Sequence, residues 1–178
     1  MAVQTHILRR IRGHGRGHVF TASDFADLGA ASAVRQALSR LARSGQIRRL
    51  DRGVYDLPRQ HARIGPLWPS ADAVVNAVAR RTGSTIKASG PLAANAIGLS
   101  TQVPAHAVFL TDGPARTVRV GRLRVTLKHA SPVDMLLPGT RAGLALVALR
   151  HLGPGGASAD ALRHLASTLS AQDKRRLQ

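Results

Sequence analysis

The stretch Ala31-Ser-Ala-Val34-Arg35-Gln-Ala-Leu38-Ser-Arg40-Leu41-Ala-Arg43-Ser-Gly45-Gln-Ile47-Arg-Arg-Leu50-Asp-Arg-Gly53-Val54-Tyr55-Asp-Leu57 decides how the first third of this chain reads. Val34, Leu38 and Leu41 recur at i, i+4 and i+7. That single apolar stripe predicts a helix from about Ser32 to Ser44. Gly45 stands where such a helix commonly leaves through a left-handed residue. Ile47–Leu50 and Val54–Leu57 are short β-prone runs joined by Asp51-Arg52-Gly53, a hairpin signal with Gly53 suited to the positive-φ position. The helix positions off the stripe are Ser32, Arg35, Gln36, Ser39, Arg40 and Arg43. The hairpin carries Arg48, Arg49 and Arg52 beside its turn.

Upstream, Ile7, Leu8 and Ile11 sit at helical spacing within Thr5–Arg12, and Gly13, Gly15 and Gly17 then break the pattern. His18–Thr21 reads as extended. Thr21 or Ser23 fits the N-cap of a short helix that turns Phe25 and Leu28 inward and ends at Gly29. Helix, short strand, short helix, longer helix and hairpin are the order of a winged helix-turn-helix, with residues 32–44 as recognition helix. Arginine pairs with guanine, glutamine with adenine and serine with phosphate, so the off-stripe residues suit a duplex. A solvated helix face has a similar composition, and the hairpin arginines beside it favour DNA contact.

Downstream, residues 59–69 carry Pro66 and Pro69 just after Pro58 and read as a Pro-rich linker between domains 1–58 and 70–178. In the second domain Ser70 caps a helix to Arg81, with Val74, Val75 and Val78 on its apolar face. Pro91 opens a shorter helix to about Ile97. Ala107–Thr111 is a strand and Asp112-Gly113-Pro114 a turn. Thr117–Val120 and Leu123–His129 form a second hairpin across Gly121-Arg122. Pro132–Leu137 reads as a short helix. Thr140–Leu152 and Ser158–Leu169 are helices separated by Gly153-Pro-Gly-Gly156, and the basic tail Asp173–Arg176 is expected to fray. The fold class is therefore α+β: a winged helix-turn-helix followed by a mixed α/β domain.

Charge sets the class of partner. The chain has 178 residues with 26 Lys+Arg against 9 Asp+Glu, net +17; only Lys87, Lys128 and Lys174 are lysines, and every acid is Asp. Such an excess predicts a polyanionic partner, nucleic acid first. Aromatics are 3% of the chain, too few for base-stacking platforms, which argues against single-strand and RNA-recognition modules. With no cysteine, disulfides, thiol catalysis and Cys-ligated zinc are excluded. No apolar run is long enough for a membrane span, and no apolar region follows the basic N-terminus, so a cytoplasmic protein is expected.

Catalytic chemistry does not emerge. The aspartates are scattered, and Ser84, Ser89, His106, Asp112 and His129 read as polar loop residues, so the chain is expected not to be an enzyme and to need no cofactor. His14-Gly-Arg-Gly-His18 lies in a glycine-rich loop without a carboxylate near both histidines, so no metal site is assigned.

Leu38–Tyr55 resembles the end of the DNA-binding domain of AbiEi-type antitoxins of type IV toxin–antitoxin modules. Ala88-Ser-Gly90-Pro-Leu-Ala-Ala-Asn95-Ala-Ile-Gly98-Leu-Ser-Thr101-Gln102-Val-Pro104, followed by Phe109-Leu-Thr111-Asp112-Gly113, is similar to the DUF6088 branch of that group. The resemblance spans about Thr5 to Leu152. It implies an autorepressor that binds operator DNA upstream of its own genes. It also implies an antitoxin of a module often tied to phage defence, counteracting a nucleotidyltransferase-like toxin through or alongside the second domain. The chain ends soon after that domain, whereas some relatives carry longer C-terminal regions. The implied partners are double-stranded operator DNA and a cognate toxin, with a homodimer or two copies on an inverted repeat. Asn95, Thr101, Gln102 and Asp112 have two readings, as structural residues that satisfy backbone groups or as a toxin- or ligand-facing surface. The alternative function is an RNA- or toxin-binding module without operator recognition.

Overall fold

In the computed structural model, which describes residues 2–102, 104 and 106–178, Val34, Leu38 and Leu41 are fully buried. Val103 of the Thr101–Pro104 block lies outside the described residues. The helix that carries the stripe is α2, Ala31–Arg43; Ser44 caps it, and Gly45 at φ +71 turns the chain away. Around it stand α1 (Ala2–His14), β1 (Val19–Thr21), a 3-10 helix (Ala22–Leu28), β2 (Arg48–Asp51) and β3 (Val54–Asp56). α1 runs through Gly13, and the break comes at Gly15 (φ +81) and Gly17 (φ +90). Phe25, at φ −129, interrupts the short helix and is itself buried. The Asp24 carboxylate accepts from the Thr21 amide at 2.7 Å and so pins the start of the turn.

β3 lies between β1 and β2, and both pairings are antiparallel. Phe20 faces Tyr55 across one pair, and Arg48 faces Asp56 across the other. The register slips between Arg49 and Asp51, a bulge just before the turn at Gly53 (φ +73). The core of this part joins Ile7 and Ile11 of α1 to Phe20, Phe25, Val34, Leu38, Leu41, Ile47 and Tyr55. Phe20 meets Phe25 edge to face at 5.6 Å, a geometry the ring quadrupoles favour.

Residues 59–69 are not a plain linker. They fold into a small hairpin, β4 (Gln60–His61) against β5 (Gly65–Pro66). α3 (Ala71–Thr82) follows, capped by the Ser70 hydroxyl, which accepts from the Ala73 amide, and left through Gly83. The compact units therefore do not follow the boundaries 1–58, 59–69 and 70–178. One unit is residues 1–83 with 118–125, and the other is 84–117 with 126–178. α3 belongs to the first because Arg80 ties it there: its guanidinium donates to the Asp24 carboxylate at 2.8 Å and to the Val19 carbonyl at 2.9 Å.

The second unit contains β6 (Ile86–Ala88), α4 (Gly90–Ala96), β7 (Ala107–Thr111), α5 (Arg141–Gly156), α6 (Ala159–Thr168) and α7 (Ala171–Arg176). β8 (Arg116–Val120) and β9 (Leu123–His129) complete a sheet of order β6-β7-β9-β8. α4 approaches α5 closely because Gly90 has no side chain; a Cβ there would lie 2.4 Å from Cβ of His151. Ala93, Ala94, Ile97, Ala145, Ala148, Leu165 and Leu169 form the core around that contact. α5 is interrupted at Gly153 (φ +66), at the start of the expected glycine-rich break.

Two local expectations are corrected. Residues 132–137 form turns instead of a helix: Leu137 sits at φ +52, and Pro138 disfavours helical backbone at the residue before it. The basic tail is helical, because Ser170 caps α7 and the Asp173 carboxylate accepts from the Ala142 amide at 3.4 Å. Among the described residues no helix is long and apolar enough to cross a membrane. The first-unit core is expected to respond to Leu38→Ala with a loss of about 2–5 kcal/mol, the cost of deleting buried methyl groups, read as a drop in urea midpoint at constant m-value.

Candidate nucleic-acid interface

Because α2 buries one stripe, it must present the rest. Ser32, Arg35, Gln36, Arg40 and Arg43 are exposed, and Ser39 is half-buried. Among the described residues none of these six side chains makes a hydrogen bond or an ion pair. Beside them the β2–β3 hairpin presents Arg49 and Arg52, both exposed. Among the described residues the Arg49 side chain donates only to the Asp51 carbonyl, at 3.4 Å.

A cavity of about 560 Å³ lies between α2, the 3-10 helix and the hairpin. Val34, Leu38 and Tyr55 contribute its apolar lining, Arg35, Arg49, Arg52 and Arg81 are its cations, and no carboxylate lines it. Arg81 of α3 was not among the residues singled out from the sequence. It reaches the groove by donating to the Arg52 carbonyl at 3.5 Å. The Arg80-Arg81 doublet at the end of α3 was the available signal, but only the packing of α3 on this unit gives it meaning.

Arg48 is placed differently from its neighbours. Its guanidinium binds both oxygens of Asp56, at 3.0 and 2.6 Å, and donates to the Leu67 carbonyl at 2.7 Å. It also stacks over the Trp68 ring at 4.3 Å. All of this follows from the register that sets Arg48 opposite Asp56. The Asp56 side chain is 1% exposed. Burial pushes its carboxyl above the usual range, and Arg48 pulls against that shift. Arg48 therefore holds the hairpin together, while Arg49 and Arg52 stay exposed.

The glycine-rich loop after α1 brings His14 and His18 into a stack at 4.7 Å. Burial holds His18 below the usual histidine range, and the nearby His14 and Arg80 add to the effect. Among the described residues no cluster of His, Cys, Asp or Glu is arranged to hold a metal ion.

In the second unit the four singled-out residues do different things. Asn95 donates to the carbonyls of Ser100 and Gln102, both at 3.2 Å, and so ties down the loop after α4. Thr101 and the Gln102 side chain are exposed on that loop. Asp112 sits on the turn after β7, where it accepts from the Thr85 amide at 2.7 Å. Asn95 thus satisfies backbone carbonyls and Asp112 a backbone amide, and Thr101 and Gln102 are the surface members. Lys87 was missed altogether. It is buried in β6 and donates to the carbonyls of Asp134 and Leu136, at 3.1 and 2.6 Å, which braces the 132–137 turns. Burial holds its amine below the usual lysine range.

Comparison with known families matches residues 6–177 to DUF6088, described as a family of unknown function. No curated protein and no solved structure matches the chain.

The Arg48–Asp56 pair makes a pH-dependent prediction. In Arg48→Ala the buried Asp56 loses its counter-charge, so its carboxyl rises further and binds a proton more tightly folded than unfolded. The variant should lose about 3 kcal/mol at pH 7, at the low end for stripping a buried pair because Arg48 is partly exposed. The deficit should shrink as pH falls toward the raised carboxyl value, since protonation then favours the folded state. Urea denaturation at pH 7 and pH 5 measures it; a deficit independent of pH would assign the loss to packing on Trp68 instead.

Proposed function

The chain belongs to DUF6088, a family of unknown function, and we propose that its first unit is a winged helix-turn-helix that binds operator DNA and represses its own genes. The observation that carries this is the outward face of α2. It presents three arginines, a glutamine and two serines with no hydrogen-bond or ion-pair partner among the described residues, flanked by a hairpin whose Arg49 and Arg52 are also exposed. Unpaired guanidinia are costly for a chain that already carries +17, and an array of phosphates relieves their mutual repulsion.

Each group has a role in this reading. α2 lies in the major groove, where Arg35 and Arg40 offer two-pronged donors to guanine O6 and N7 and Gln36 pairs with adenine. Ser32, Ser39 and Arg43 contact phosphate and set the register. The β2–β3 hairpin is the wing, with Arg52 at its tip placed to enter a minor groove, where the negative potential is concentrated. Arg81 adds charge to the wall of the groove between helix and wing. Bound at a promoter, the protein excludes the transcription machinery.

We further propose that the chain is an antitoxin that counteracts a nucleotidyltransferase-like toxin, a reading that rests on the resemblance of the Ala88–Pro104 and Phe109–Gly113 blocks to the DUF6088 branch of the AbiEi-type antitoxins. Thr101 and Gln102 are the exposed residues of those blocks that suit contact with a nucleotidyltransferase-like toxin.

Fluorescence anisotropy on the protein's own upstream duplex, a shuffled duplex and an RNA hairpin tests the first half. The own duplex should bind about 10³-fold or more tighter than the shuffled one. Arg35→Ala or Arg40→Ala should cost about 1–3 kcal/mol on the own duplex. Unchanged affinity in both variants, or a preference for RNA, would remove α2 from operator recognition. Co-expression with the product of an adjacent nucleotidyltransferase-like gene tests the second half. Restored growth is expected, and growth arrest despite full expression of this chain would refute it.

A further inference from the structure

The β8–β9 hairpin sorts its residues by face. Val118, Val120 and Val125 are buried, whereas Arg119 and Arg124 are exposed. The turn is Gly121, at φ +60, followed by Arg122, which is also exposed. A two-residue turn brings Arg119 directly across from Arg124. Like charges in that position destabilise a strand pair. Nothing local relieves them: the chain has no carboxylate between Asp112 and Asp134. Among the described residues the side chains of Arg119, Arg122 and Arg124 make no hydrogen bond or ion pair.

The tip is held in place. Residues 118–125 belong to the first unit. A Cβ on Gly121 would stand 2.8 Å from the Trp68 ring, so only glycine lets the turn seat there. Arg48 covers the same ring. Three unpaired guanidinia are thus presented on a ribbon whose other face is core. Such an arrangement costs stability in the free protein and is relieved only by an anion from outside.

We propose that this ribbon, through Arg119, Arg122 and Arg124, is a second surface for the phosphate backbone of duplex DNA, separate from α2 and the wing and indifferent to sequence. The choice of duplex rests on the DNA-binding reading of the first unit. It is supported by the residue types: guanidinium forks match phosphate oxygens, and the exposed ring beside the turn, Trp68, already has the Arg48 guanidinium over one face. The surface adds affinity and salt dependence to every duplex equally, and α2 supplies the discrimination.

The test is anisotropy of the full chain carrying R119Q/R124Q, on its own upstream duplex, the shuffled duplex and the RNA hairpin, from 50 to 200 mM salt. Affinity should fall by the same factor on both duplexes, leaving their ratio unchanged. The slope of log K against log salt should become shallower by about 1.8, two contacts at about 0.9 each. R119K/R124K should retain most of the affinity, because the charge remains. Curves that overlay the wild type would overturn the proposal. So would a loss confined to the RNA hairpin, which would make RNA the partner, or an equal loss in R119K/R124K, which would assign the effect to packing. If the wild-type protein shows no preference for its own duplex, the operator reading fails, while the slope change on either duplex still decides the ribbon.

Discussion

Nine carboxylates serve 26 cations in this chain, and the structure follows from how they are distributed. Asp56 holds Arg48, Asp24 holds Arg80, Asp27 holds Arg10, Asp134 holds Arg150 and Asp160 holds Arg163. The first two are structural ties: one clasps the hairpin β2–β3, and the other fastens α3 to the 3-10 helix. Asp112 and Asp173 cap backbone amides instead. The outer face of α2 and the tip of β8–β9 receive none. Those surfaces are cationic because the acids are spent elsewhere, and the two binding surfaces proposed for the molecule both come from that distribution.

The apolar half of the design points the same way. α2 packs Val34, Leu38 and Leu41 against Phe20, Phe25 and Tyr55 with Ile7 and Ile11 behind, and this burial fixes its rotation. Once the rotation is fixed, Arg35, Gln36, Arg40 and Arg43 have only solvent to face. The same logic holds on the ribbon, where buried Val118, Val120 and Val125 force Arg119 and Arg124 outward. In both places a hydrophobic stripe fixes the backbone from which unpaired arginines project. A phosphate array then meets donors at a preset spacing, although each long side chain still gives up rotamer freedom on binding.

Much of this was legible in the sequence, and what was not has identifiable causes. Ser70, Ser158 and Thr140 announced helix starts because a cap is a local interaction over three residues. Residues 59–69 look like a linker because proline and glycine disfavour helix, yet those residues also suit a tight hairpin such as β4–β5. β6 was invisible because three residues carry too little pattern, and its pairing with β7 comes from far along the chain. No local pattern marks Lys87 for burial; carbonyls almost fifty residues away make it tolerable. The sequence leaves Asn95 both a structural and a surface reading, and its two bonds to the following loop support the structural one.

The sequence by itself determined the two faces of α2, the hairpin beside it and the sign of the surface, because helical periodicity, turn chemistry and net charge are properties of neighbouring residues and of totals. Only the tertiary structure decided which arginines are free. Arg48 and Arg49 are adjacent and chemically identical. Pairing of β2 with β3 places Arg48 opposite a buried carboxylate and beneath it a tryptophan, and strand alternation turns Arg49 the other way. A guanidinium's availability depends on the register of its strand, and register is set by packing between segments that no local pattern records.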